Sequence, residues 1–276
     1  MSYEKSVTDH YTHGGLLGAI QASVTKLGKT IDTDTIEDLA AVDEFHIGGR
    51  QATDNLLGQL GFTESDHILD VGCGLGGASR YVADKFNNRV SGIDLTHEYI
   101  EVGNKFCAWV GLDEQVTLHH GSALTMPFDD EVFDGVIMLH VGMNIEDKSR
   151  LFTEIYRVLR RGTSFGVYDV MQITQGELTY PVPWATAKIT SRLSTPEQYC
   201  RALIDAGFNP RSENIRRDFA IQFFKQLKAK TEASNRPPPI GLHILMQESA
   251  ALKIQNMGEN IMNNLIAPVE IIVEKN

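Results

Sequence analysis

The chain of 276 residues has only three cysteines, Cys73, Cys107 and Cys200, scattered without a Cys-x-x-Cys pair. Such a set cannot build a disulfide framework and is expected as reduced thiols. Cations are in deficit, 25 Lys and Arg against 36 Asp and Glu, a formal net charge of -11. An acidic surface repels phosphate backbones and anionic lipid, which argues against a nucleic acid or a membrane as partner. Long apolar runs are missing too. No uncharged stretch approaches the ~20 residues that a membrane-spanning helix needs. The first residues, Met1-Ser2-Tyr3-Glu4-Lys5, lack a basic segment followed by an apolar one, so a secretory signal is not expected and the protein is expected in the cytoplasm. No internal repeat or low-complexity tract stands out. The proline triplet Pro237-Pro238-Pro239 is too short for a peptide-recognition site and is expected as a rigid turn.

What is present is an ordinary globular balance, 42% hydrophobic and 22% charged residues. Three regions are expected: a helical cap over 1–60, a ligand-binding core over 61–170, and lid segments, a helical insertion and closing strands over 171–276. In the cap, Leu16-Leu17, Ile20, Val24 and Leu27 recur at helical spacing, between breaks at Gly14-Gly15 and Gly48-Gly49. In the core, strand and helix signals alternate. Strands are expected at His67–Val71, Arg89–Asp94, Val116–His119, Phe133–Leu139 and Ser164–Asp169. Helices are expected from near Ala78, over His97–Val110, and over Ser149–Leu159. Such alternation predicts an α/β, doubly wound parallel sheet. After Asp169 an irregular segment leads to a helix opened by Thr195-Pro196-Glu197 and stopped at Gly207. Helical stretches at Phe219–Ala233 and Leu242–Leu265 precede a closing strand at Val269–Glu274.

In an open parallel sheet, ligands bind beyond the carboxyl ends of the strands. The first such loop reads Asp70-Val71-Gly72-Cys73-Gly74-Leu75-Gly76-Gly77. Gly72, Gly74 and Gly76 let the backbone turn sharply and approach a ligand, and the helix behind them offers unpaired N–H groups. Gly72-x-Gly74-x-x-Gly77 also satisfies a dinucleotide fingerprint, with Asp94 some 20 residues on for a ribose. Read alone, the loop leaves a nicotinamide dinucleotide and a methyl donor both open. Asp94 could equally cap the following helix.

The later loops separate the two. Gly121-Ser122-Ala123, Met126-Pro127-Phe128, Phe133-Asp134 and Val158-Leu159-Arg160-Arg161-Gly162 follow the glycines in the order and spacing of S-adenosylmethionine-dependent methyltransferases of class I. That resemblance, over His67 to Asp169, implies a Rossmann-like sheet of about seven strands with a late antiparallel strand. It implies S-adenosylmethionine as cofactor, contacted by Asp70, Gly72, Gly74, Gly76, Asp94, Leu95, Ser122 and Ala123. Ser122 stands where the family usually has Asp, so a hydroxyl replaces a carboxylate at the adenine. The turn at Arg160-Arg161-Gly162-Thr163 lacks the family's proline and second glycine.

The string His140-Val141-Gly142-Met143-Asn144-Ile145-Glu146-Asp147-Lys148 is more discriminating. With Asp43–Thr53 and Tyr180-Pro181-Val182-Pro183-Trp184, it resembles the sarcosine/dimethylglycine N-methyltransferases of glycine betaine synthesis. The resemblance implies a small amino-acid acceptor, sarcosine, methylated to dimethylglycine and then to glycine betaine. It also implies an N-terminal segment that closes over the cofactor, where Tyr11 would touch it. The chemistry suggests further residues. His140, at a strand end, could accept the amine's proton or shape the sulfonium site. Arg50 or Arg192 could hold the acceptor carboxylate, and Trp184, Tyr180 and Tyr168 could offer aromatic faces to an alkylammonium. Met143 and Asn144 join these as acceptor contacts. His13 and His46 complete the cap's histidines, and no metal-ligand spacing appears among them. Phosphoethanolamine or a prenylated ring compound are the rival acceptors, with Arg211, Arg216, Arg217 and Phe219–Phe224 as the residues that would serve them. A nicotinamide oxidoreductase and a non-catalytic nucleotide-binding regulator are the rival classes. A monomer and a homodimer both remain open.

Overall fold

The computed structural model describes residues 3–30, 33, 35–233 and 238–276. Met1 and Ser2 of the N-terminal reading, and Pro237 of the expected rigid turn, lie outside the described residues. Strands β1 (His67–Val71), β2 (Arg89–Asp94), β3 (Val116–His120), β4 (Phe133–Leu139) and β5 (Leu159–Gln172) run parallel. Strands β6 (Asn209–Ile215) and β7 (Ile266–Lys275) complete a seven-stranded sheet in the order β3-β2-β1-β4-β5-β7-β6. β7 is antiparallel to both of its neighbours.

The parallel part is wound both ways from β1. Alternation along the strands sends Ile68, Ile137 and Leu139 to one face and Leu69, Val71, Val136 and Met138 to the other. The first face packs on α4 (Gly49–Leu57) and α5 (Gly77–Phe86) through Leu56, Leu57, Val82 and Ala83. The second packs on α7 (Lys148–Val158) and α8 (Pro196–Asp205) through Leu151, Phe152, Ile155, Tyr199 and Leu203. Each such fully buried side chain stabilises the sheet by roughly 1.5–3 kcal/mol. Local signals set the helix starts. Thr195 and Gln198 form a reciprocal capping box with Pro196 behind it, and Asp147 accepts from the backbone N–H of Arg150.

The expected bounds of β1, β2 and β4 agree with the structure. β5 and β7 are longer than expected, because their ten paired positions from Thr163↔Lys275 to Gln172↔Ile266 extend each other past the apolar run. β6 was not expected. It is polar and largely exposed, pairs only with β7, and shifts register after Pro210, as an edge strand tolerates.

The cap comprises α1 (Tyr3–Tyr11), α2 (Leu16–Lys26), α3 (Ile36–Asp43) and the N-terminal side of α4; α6 (His97–Trp109) of the core receives it. Leu16, Ile20 and Val24 of α2 join Leu39, Val42, Tyr99 and Phe106 in one apolar cluster. α1 buries no residue. The segment expected as a lid contains α9 (Arg217–Ala233), α10 (His243–Met246) and α11 (Ala250–Met262). Between β5 and α8 the chain is mostly irregular, with a cis Tyr180–Pro181 bond.

Candidate active site

A cavity of about 2070 Å³ opens at the carboxyl ends of β1, β2 and β4, where the winding direction of the sheet reverses. Asp70, Gly72, Gly74, Asp94 and Leu95 line it from the core, with Ser122 and Ala123 after β3. His140, Met143 and Asn144 line it after β4. Tyr11, Glu44, His46 and Arg50 line it from the cap, and Trp184 from the irregular segment.

The glycine loop is held by backbone bonds. Gly72 and Cys73 both donate to the carbonyl of Ile93, at 2.8 and 3.1 Å. Gly72 has φ 70°, and a Cβ there would overlap the Val141 side chain. Glycine is therefore what lets the loop after β4 close on the loop after β1. Gly76, φ 80°, starts α5 and does not reach the cavity wall. Asp94 accepts from the N–H of Gly74 at 3.0 Å and of Thr96 at 2.8 Å. Each carboxylate oxygen thus retains acceptor capacity for a hydroxyl. Asp70 is buried and accepts from Ser79 Oγ at 2.6 Å. Burial pushes its carboxyl up to about 7; Ser79 opposes this, and the Asp94 and Glu44 charges add to it.

Between the cap and the loop after β4, contacts form a connected chain. Arg50 Nε lies 3.0 Å from Glu44 Oε1, with its guanidinium 4.0 Å above the Tyr81 ring. Its two terminal nitrogens are buried and have no hydrogen-bond partner. Glu44 accepts from Thr53 at 2.9 Å, and Thr53 meets His46 Nε2 at 2.9 Å. His46 sits edge-on to His140 at 6.0 Å, and His140 stacks on Tyr168 at 5.3 Å. Burial holds His46 down at about 4 and His140 well below the usual histidine value, so both rings are neutral at neutral pH. His140 adopts φ 56°, a left-handed backbone that costs a β-strand terminus about 1–3 kcal/mol, and its Nε2 is buried without a partner. A neutral imidazole with a free nitrogen can take a hydrogen bond or a proton from a ligand.

The loop that carries Met143 and Asn144 is anchored from behind. The buried Asp169 accepts from the N–H of Gly142 and from the Tyr199 hydroxyl, both at 2.7 Å. Asn144 in turn accepts from Tyr11 at 3.3 Å, which ties α1 to this loop.

Several expected contacts fall elsewhere. Arg192 does not line the cavity. It donates to the carbonyls of Ile189 and Ser191, pairs with Glu146 at 3.3 Å, and lies over the Tyr3 ring. Tyr168 is buried behind His140 and donates to the Ile47 carbonyl at 3.0 Å. Tyr180 packs into the lid cluster, away from the wall. Trp184 is 2% exposed and donates to Ser191 Oγ at 2.9 Å, so only part of its ring is available. The Ser122 hydroxyl reaches the cavity but donates to Glu4 of α1 and accepts from Leu124 N–H. Glu44, by contrast, had no assigned role in the sequence. Its signal was its place two residues before His46 and six before Arg50. Among the described residues, no group of three His, Cys, Asp or Glu side chains is placed to hold a metal ion, and no helix is long and apolar enough to cross a membrane.

This geometry defines a nucleotide-cofactor site on a doubly wound sheet. Residues 69–167 match the family described as a methyltransferase domain. The ajmaline N-methyltransferase of Rauvolfia serpentina is 35% identical over 36% of this chain and 34% of its own. The chain spans 26–59% of the length of the first curated relatives it matches. The fold, with antiparallel strands closing the sheet, is the Rossmann-like methyltransferase fold. It superposes on geranyl diphosphate C-methyltransferase of Streptomyces coelicolor A3(2) with a TM-score of 0.74 at 18% identity, covering 100% of this chain and 98% of that one. A candidate sarcosine dimethylglycine methyltransferase of Galdieria sulphuraria gives 0.66 at 18% identity, over 82% of this chain and 84% of that one. Residues 69–167 thus carry a methyltransferase domain.

Proposed function

We propose that the whole protein transfers a methyl group from S-adenosylmethionine to the amine of a small amino acid, converting sarcosine to dimethylglycine and then to glycine betaine. The observation that carries the acceptor is Arg50, whose two terminal nitrogens are buried without a partner beside the cavity that holds the glycine loop and Asp94. Unpaired buried donors of this kind suit a carboxylate, which a guanidinium grips with two parallel hydrogen bonds. The likeness of the His140–Lys148 loop to sarcosine/dimethylglycine enzymes supports the same reading.

The residues present fit the cofactor. Gly74 leaves open space where a Cβ would stand, and Asp94 can accept from two ribose hydroxyls. Bound there, the cofactor supplies an electrophilic methyl group on a sulfonium. The chain's own residues then position and deprotonate the acceptor. Arg50 fixes the carboxylate end, which leaves the amine free to align with the reacting carbon. A free alkylammonium has a pKa of about 10, and transfer into this cavity lowers it by desolvation. His140, neutral and with an unoccupied Nε2, accepts the hydrogen bond or proton of the amine.

A methyl-transfer assay across glycine, sarcosine, dimethylglycine and phosphoethanolamine tests the reading. Turnover of sarcosine and dimethylglycine is expected. Arg50→Ala should raise KM for sarcosine by about a hundredfold or more, the loss of two charge-assisted bonds, with a smaller change in kcat. Activity confined to phosphoethanolamine would overturn the acceptor and leave the reaction class intact.

A further inference from the structure

The cavity is larger than its two proposed occupants require. Pockets for drug-sized ligands run to about 300–1,000 Å³. The cofactor is one such ligand, and sarcosine adds a handful of heavy atoms. Roughly half of the 2070 Å³ is left.

The surplus lies against the lid. Ile221, Phe224 and Leu227 of α9 and Ile254 of α11 line it, with the buried Met257 and Ile261 behind them. Along α9 only Ala220 is fully buried; Ile221 and Phe224 pack partly against the neighbouring apolar cluster and, with Leu227, keep part of their surface towards the cavity. Phe224 of α9 faces Gly258 of α11, where even a Cβ would make only an ordinary contact at 3.7 Å with the ring. The nearby lysines of α9 are exposed and stand at the rim; Lys228 is 77% exposed. The polar grip of Arg50 and the apolar walls of α9 and α11 belong to one continuous cavity. A ligand that satisfies both has a charged amino-acid head and an apolar body.

We infer that the acceptor is an amphiphilic N-methyl amino acid, its carboxylate and amine at Arg50 and His140 and its apolar side chain in the chamber between α9 and α11. The inference rests on the amine-methylation reading and extends it: sarcosine is the smallest member of the substrate class. Apolar burial is worth about 0.8 kcal/mol per methylene, or about fourfold in affinity.

The test is a series of N-methyl-2-amino acids whose side chain lengthens from hydrogen (sarcosine) to octyl. Binding is measured by calorimetry on the full chain loaded with S-adenosylhomocysteine, and kcat/KM with S-adenosylmethionine. Kd should fall about fourfold per added methylene until the chamber is full, with kcat/KM rising in step. Leu227→Asp and, separately, Phe224→Ala should flatten that slope. If sarcosine is methylated and the series is flat, the chamber is only space over which the lid closes; the inference falls and the methylation reading stands. If the long members bind with the expected slope but no member is methylated, the chamber stands and the amine reading falls.

Discussion

Asp94 offers the most direct test of the cofactor site. Its carboxylate already accepts two backbone N–H groups, from Gly74 at 3.0 Å and Thr96 at 2.8 Å, which fixes both oxygens at the cavity wall. Two ribose hydroxyls donating to these oxygens would each add a hydrogen bond to a charged acceptor, about 1.5–3 kcal/mol apiece. Asp94→Ala removes both, a loss of roughly 3–6 kcal/mol, or about a hundredfold to ten-thousandfold in Kd. Asp94→Asn keeps one carbonyl oxygen and should lose about half of that free energy. The two variants differ in a second way. Alanine also orphans the Gly74 and Thr96 donors, at about 1 kcal/mol or more each in stability, whereas asparagine still satisfies one of them. Calorimetric titration with S-adenosylhomocysteine, beside thermal unfolding of the same samples, separates the two costs. A folded Asp94→Ala protein whose Kd stays within threefold of the parent would show that the ribose is held elsewhere.

Other perturbations follow from single contacts. Glu98 accepts four consecutive backbone N–H groups, from His13 to Leu16, at 2.6–3.1 Å; although its burial works the other way, these bonds hold the carboxyl down at about 2. Its stabilising effect is therefore complete above the ordinary glutamate range and lost as pH falls towards 2, and Glu98→Ala should speed protease cleavage near Gly14-Gly15; unchanged cleavage would refute the anchoring role. Gly142→Ala would drive a Cβ into the Tyr199 hydroxyl and to 2.5 Å from Asp169 Oδ2. It should cost about 1–3 kcal/mol and depress kcat/KM, with partial recovery in the Gly142→Ala/Tyr199→Phe double variant; equal activity of the single variant and the parent would argue against the loop's anchor. Asp70, raised to about 7 by burial, favours folding below the ordinary aspartate range and loses that contribution as pH rises through 7. A cationic cofactor beside it favours the carboxylate, so affinity for S-adenosylmethionine should climb up to about pH 7 and then level. Asp70→Asn should abolish that slope, and an identical slope in the variant would place the titrating group elsewhere.

The sequence made the parallel sheet legible because its strands are short apolar runs that end on glycine or aspartate, as at Val71-Gly72 and Ile93-Asp94. The bounds of α8 were equally open to reading, since threonine, proline and glycine each favour one helix terminus. β6 was hidden for a physical reason: an edge strand needs no apolar alternation, and Asn209–Ile215 has none. Choosing between Arg50 and Arg192 was beyond composition or spacing. Both are arginines near ligand-bearing loops, and only the approach of other chain segments leaves the donors of one unpaired while the carbonyls of Ile189 and Ser191 occupy the other. Tyr168 shows the same limit. Its position near the carboxyl end of an expected strand suggested an aromatic face for the ligand, but in β5 it lies beneath His140, where it supports the ring instead.

The cap divides energetically at Gly14-Gly15. α2 and α3 are committed to the core, because Leu16, Ile20, Val24, Leu39 and Val42 are almost wholly buried. Separating them would expose that apolar surface at roughly 1.5–3 kcal/mol per side chain. α1 buries no residue and is held by polar latches: Glu4 to Ser122, His10 to the Pro183 carbonyl, Tyr11 to Asn144 and Tyr3 to the Thr190 carbonyl. Each is worth about 0.5–1.5 kcal/mol net, because water replaces it when it opens. Glu98 holds the junction between the two regimes. Lifting α1 would therefore uncover the Asp94 and Ser122 side of the cavity without separating α2 from the core, whereas α9 and α11 line the apolar part. A cofactor entering under α1 and an acceptor entering under the lid would use two different doors. The expected signature is that truncating α1 changes cofactor binding more than acceptor KM, while substitutions in α9 do the reverse.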